Sequence, residues 1–194
     1  MKKLVLVIVY FTALVLSVNA LSIGVGGEFG SRSAHDYYDN NAYKVGRLGF
    51  YAFIGGHFLE TNLGFKSYTL DYDPVYEFSY NYFYFGLKLK LPLRISERIR
   101  IFPLAGVDYS FFTSGKMDGR TFPRGDFRDD TPDFFSFNLG FGTDIFLNKI
   151  FFLRGEFNYA FPSSFGVDRD MYNYFIRESM RGPVFKLAIG LKVF

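Results

Sequence analysis

The ionisable residues of this chain recur out of step with its apolar ones. Glu28, Lys66, Lys88, Lys90, Arg100, Asp108, Asp144, Arg154, Glu156, Lys186 and Lys192 each stand beside at least one apolar residue. On an extended chain such neighbours point to opposite faces, so one face is greasy and the other carries charge. Charges of both signs gathered on one enclosed face must find partners, because an unpaired buried charge is costly. That constellation could serve as an ion path, or as a neutralised plug that sets register. An interior closed by eight strands is just wide enough for side chains to fill, which favours the plug.

Other residue groups carry weaker chemistry. His35 lies near Ser31 and Ser33, and His57 is expected at a turn opposite Glu60. A nucleophilic site needs a base and a hydroxyl within hydrogen-bond reach plus an orienting group, and the spacing specifies no such set. The histidines therefore read as solvated loop and turn residues, and no catalytic residue is assigned. The absence of cysteine removes disulfides and thiolate metal sites, and no metal or cofactor is assigned. Arg124, Gly125 and Asp126 match the tripeptide that integrin-type receptors read, with a plain turn as the competing reading. Tyr37, Tyr38, Tyr43, Tyr72, Tyr76, Tyr80, Tyr172 and Tyr174 suit a headgroup layer, with ligand stacking as the alternative.

These side chains need strands to hold them, and the alternation supplies eight. Ile23, Val25 and Phe29 alternate with Gly24, Gly26 and Glu28. Leu48 to Gly55 and Leu63 to Lys66 follow with opposite parity, so the turn between them has an even number of residues, such as Phe58-Leu59. Phe83 to Leu91 and Ile99 to Tyr109 make the next pair; Pro103 cannot donate to a ladder, which predicts a bulge there. Phe135 to Ile145 and Phe151 to Tyr159 share parity, so their turn is odd, as Leu147-Asn148-Lys149 would be, with Asp144 and Arg154 in diagonal reach. In the closing stretch, Phe185, Leu187, Ile189, Leu191 and Val193 form the greasy face against Lys186, Ala188, Gly190 and Lys192. Residues 31–46, 70–79, 113–133 and 162–181 read as long loops, so long and short connections alternate.

Composition sets the compartment. Lys2 and Lys3, the uncharged run from Leu4 to Val18 and the small-residue pattern Val18-Asn19-Ala20 read as a cleaved signal peptide over residues 1–20, leaving a single domain over 21–194. The apolar run is shorter than the roughly twenty residues of a spanning helix. Of the formal net charge of +3, Lys2 and Lys3 supply two, so the remainder is near neutral and no nucleic-acid partner is expected. With 27 Phe and 15 Tyr but no Trp, the chain is aromatic beyond what a soluble core of this size requires. Exported, aromatic-rich and built of strands, it is expected to be all-β: an eight-stranded antiparallel up-and-down transmembrane β-barrel, with short turns on the periplasmic side and long loops outward.

The run Ile101 to Phe111 (IFPLAGVDYSF), the run Leu153 to Tyr159 (LRGEFNY) and the terminal Phe194 resemble the small eight-stranded outer-membrane barrels of the OmpA-like and opacity-protein-like kind. That resemblance implies location in the cell outer membrane, contact with outer-membrane lipids, and insertion by the barrel-insertion machinery through the C-terminal strand. Its members usually place apolar residues at the parity of the terminal Phe, whereas Lys186, Gly190 and Lys192 hold those places here. Three function classes follow: a structural or surface-interaction barrel whose loops meet an extracellular ligand or host surface, a narrow pore, and a lipid-modifying barrel enzyme.

Overall fold

The computed structural model describes residues 21–35, 42–72, 76–117, 120–123, 133–163 and 180–193. The expected signal segment 1–20, the Arg124-Gly125-Asp126 tripeptide and Phe194 lie outside them. Among the described residues ten strands appear: β1 (Ser22–His35), β2 (Ala42–Gly55), β3 (Leu59–Tyr72), β4 (Tyr76–Lys90), β5 (Leu93–Arg94), β6 (Ile99–Met117), β7 (Arg120–Pro123), β8 (Phe134–Phe146), β9 (Phe151–Ser163) and β10 (Gly182–Lys192). Eight of them form the wall. Their order is β4-β3-β2-β1-β10-β9-β8-β6, every pair is antiparallel, and pairing of β4 with β6 closes the barrel. Closure removes every sheet edge, which is the condition for backbone to cross hydrocarbon in strands.

The period of two sets what each face carries. Along β10, Phe185, Leu187 and Ile189 are exposed while Val184, Lys186, Ala188 and Gly190 are buried. Across the wall, Val25, Leu48, Phe50, Leu63, Leu139 and Phe141 are exposed outward. In water such a surface would be a liability; in a bilayer it is the solvated face. Ser22 to Phe29 of β1 pair with Lys192 to Phe185 of β10, so the odd positions of the closing strand face outward.

Several expected boundaries move. β1 and β2 continue through much of 31–46, and β3 and β4 through most of 70–79, pairing as far as His35↔Ala42 and Tyr72↔Tyr76. β6 runs on to Met117, and β7 folds back onto it beyond the place where β8 stops. Beyond the apolar belt the ladder needs no apolar alternation, so polar stretches extend the strands. Pro103 carries no bulge: β6 pairs without interruption from Ile99 to Ser110. Leu91 N donates to Pro103 O at 3.1 Å, and β4 ends at Lys90. The donor that proline lacks thus falls where β4 stops. The bulge lies instead opposite Asn81 and Tyr82, which pair with Ser114 and Phe112; Thr113 is the extra residue, and its hydroxyl donates to Asn81 O at 2.9 Å.

Both expected turn parities hold while their placements shift. Gly55 pairs with Glu60 across four residues, so His57 is not opposite Glu60. In the β8–β9 turn, Leu147 N donates to Phe151 O at 2.9 Å around Asn148, Lys149 and Ile150. Asp144 therefore lies directly across from Arg154 rather than on the diagonal.

Candidate functional site: the charged interior

Arg154 of β9 anchors the half of the interior nearer the short turns. Its Nε and Nη2 donate to Asp144 Oδ1 at 2.6 Å and Oδ2 at 3.1 Å, a two-pronged pair across the β8–β9 hairpin. Its Nη1 donates across the lumen to Glu60 Oε2 and lies 3.9 Å from Glu156 Oε1. Glu60, from β3, also accepts from Lys90 Nζ at 2.6 Å, and Lys88 Nζ donates to Glu156 Oε2 at 2.6 Å while standing 3.7 Å from Glu60 Oε1. Phe53, Phe102 and Phe152 present ring faces 4.5, 5.2 and 5.2 Å from the Arg154 guanidinium carbon. A single carboxylate on β3 thus joins cations from β4 and β9.

A second cluster centres on Glu28 of β1. Its Oε1 accepts from Arg47 Nε at 2.9 Å and Nη2 at 2.6 Å; its Oε2 accepts from the Tyr84 hydroxyl at 2.9 Å and pairs with Lys186 Nζ at 2.9 Å. Register explains the meeting, since Glu28 and Lys186 are direct partners in the β1–β10 ladder. Glu28, Arg47, Glu60, Lys88, Lys90, Asp144, Arg154, Glu156 and Lys186 are all buried. Two networks of opposite charges replace water for these groups, the condition under which a buried ion is tolerated.

The remaining interior candidates behave differently. Lys66 is buried over the Tyr84 and Phe134 rings, 4.7 and 5.3 Å from their centroids, and its Nζ makes no hydrogen bond among the described residues. Asp108 is buried with its Oδ1 against Gly86, where any Cβ would collide with it. Arg100 is half-buried over Phe146 at 5.0 Å and makes no ion pair within the described residues, although it is the register partner of Asp144. Lys192 is exposed at the end of β10, outside the network that sequence parity gave it.

Two network residues escape a sequence reading. Arg47 falls between the stretch 31–46 that reads as loop and the strand that begins at Leu48, and Glu60 directly follows the expected turn Phe58-Leu59. Parity marks both: Arg47 shares it with the inward Tyr51 and Phe53, and Glu60 with the inward Asn62 and Lys66. His57 occupies the turn, edge-on to Phe58 at 4.5 Å, and burial together with nearby Arg100 and Lys90 holds its imidazole below the ordinary histidine range. Ser22 lines the same barrel mouth, but its hydroxyl donates to Gly55 O at 3.2 Å. The side chain of His35 lies outside the described residues.

Comparison with known proteins follows the same lines. The profile of the outer membrane protein beta-barrel domain matches residues 4–190. Neisserial surface protein A superposes with a TM-score of 0.55 at 10% identity, over 90% of this chain and 98% of that one. The N-terminal barrel domain of Pseudomonas aeruginosa OprF gives 0.44 at 14% identity, over 90% and 98%. Ail, the attachment invasion locus protein of Yersinia pestis, gives 0.41 at 17% identity, over 90% and 99%. No curated protein matches the chain.

Proposed function

The chain belongs to the outer membrane protein beta-barrel domain family, and from that membership we propose that it is a non-conducting barrel of the outer membrane with a structural or surface-interaction role. The observation that carries this reading is the pair of charge networks joined across the lumen, Arg154–Asp144–Glu60–Glu156 with Lys88 and Lys90, and Glu28–Arg47–Lys186 with Tyr84. Side chains from β1, β2, β3, β4, β8, β9 and β10 meet inside the wall, and the aromatic rings of Phe53, Phe102 and Phe152 fill the space around them. An ion crossing this interior would have to displace these paired and buried charges. The barrel is then a plugged scaffold, and the parts that meet the surroundings are the long connections, including the stretch that carries Arg124, Gly125 and Asp126.

Proteoliposomes test this directly. Vesicles containing the protein should swell no faster in an isotonic small sugar than protein-free vesicles, while intact cells should be labelled through their long connections by a membrane-impermeant reagent. Swelling at a porin-like rate would sink the plugged reading. A narrow pore is the second reading, and one observation favours it: both side-chain polar atoms of Asn62, Lys66 Nζ and Ser110 Oγ are buried without a hydrogen-bond partner, a pattern that suits interior water. Insertion through the C-terminal strand by the barrel-insertion machinery belongs to the same proposal.

A further inference from the structure

At the short-turn end, the β5–β6 tip and the β8–β9 tip stand side by side and enclose a cleft of about 480 Å³. Five cations line it, Arg94, Arg98, Arg100, Lys149 and Lys192, against one carboxylate, Glu97. None of the five makes an ion pair within the described residues, in contrast to the cations deeper in the lumen. We propose that this cleft seats the phosphate of an anionic phospholipid headgroup in the periplasmic leaflet.

Depth and charge select that occupant. Leu93 and Ile95 on one tip, and Leu147 and Ile150 on the other, are exposed apolar residues, so the greasy belt runs into both turns. Hydrocarbon must therefore end at these tips, and lipid phosphates lie just beyond it. In barrels of this class the short turns face the periplasm, which fixes the leaflet. A zwitterionic headgroup carries its own cation, whereas an anionic lipid leaves charge for the protein to neutralise. The cleft is also held in shape without the ligand. Phe146 N donates to Arg98 O at 2.8 Å and Lys192 N to Ile150 O at 2.7 Å, which ties both tips to their neighbours. Within the tips, Ser96 Oγ accepts from Arg98 N and Ile99 N at 3.2 and 3.1 Å, and Asn148 Oδ1 accepts from Ile150 N and Phe151 N at 2.8 and 2.7 Å. The cations thus project from fixed turns.

The inference stands apart from the plugged interior, because the cleft opens at the barrel rim whether or not ions cross the lumen. The experiment is native mass spectrometry of the full chain released from micelles doped with equal phosphatidylglycerol and phosphatidylcholine. Phosphatidylglycerol should be retained over phosphatidylcholine by roughly thirtyfold or more, as expected for two or more basic residues at a lipid surface. The double change Arg98→Gln with Lys149→Gln, both exposed, should cut the preference by roughly tenfold or more, with Arg94, Arg100 and Lys192 still in place, while heat-modifiable gel migration remains normal. Arg98→Lys with Lys149→Arg should keep it. Equal retention of the two lipids, a preference unchanged in the double glutamine variant, or inorganic phosphate alone binding as tightly as the lipid would each overturn the proposal.

Discussion

Arg154 engages Asp144 with two nitrogens and Glu60 with a third, so its removal takes both donors from the buried Asp144 carboxylate and leaves Glu60 to Lys90 and Lys88. Breaking such a buried pair costs about 3–5 kcal/mol. Arg154→Ala should therefore lower the urea stability of the folded barrel by about that amount, read as the midpoint of heat-modifiable migration, while Lys149→Ala at an exposed turn should leave it within about 0.5 kcal/mol. Equal effects for the two would mean that the interior pairs hold nothing. Glycine positions make a steric counterpart. A Cβ at Gly190 would enter the Phe152 ring, so Gly190→Ala should cost about 1–3 kcal/mol in any solvent, by the general cost of overpacking. That penalty should be the same in micelles and in bilayers.

The closing strand separates steric cost from lipid cost. Ile189 points outward from the middle of β10, 56% exposed, so Ile189→Arg should cost about 2–4 kcal/mol in a bilayer and much less in micelles. A penalty equal in both solvents would turn the odd face inward and reverse the register. Trypsin added to intact cells should cut at Arg124 or Arg128 and spare the turns at 95–98 and 147–150, and cutting there without opening the outer membrane would invert the topology. The wall was legible in the sequence because parity survives from Ile23 to Val193. Strand lengths were not, since Ser31–His35 and Thr69–Tyr72 continue the ladder while their polar residues break the outward apolar alternation. Turn placement was not legible either. A slip of two residues leaves every side chain on its own face, so parity placed Asp144 and Arg154 inside together but could not say that they are directly opposed. For the same reason parity sets Glu60 opposite His57 at the edge of a turn, whereas it pairs with Gly55 and is the carboxylate that joins β3, β4 and β9.

At the scale of the molecule, one closed wall has two faces: lipid meets Leu48, Phe50 and Leu139 outside, and buried charge pairs such as Lys88–Glu156 and Arg154–Asp144 stand inside. The chain resides in the outer membrane as a barrel of its family. Closure links all eight wall strands, so the folded form should resist detergent and migrate faster on a gel before heating than after, with no intermediate that retains only part of the sheet. The claim that orders everything else is that the lumen is sealed by its charge pairs, and planar-bilayer recording of the purified full chain tests it most directly. The wild-type protein should show no resolved unit conductance, and Arg154→Ala should show small steps as the Asp144–Arg154–Glu60 junction opens. Discrete, frequent conductance steps from the wild-type protein, unchanged by Arg154→Ala, would contradict the account.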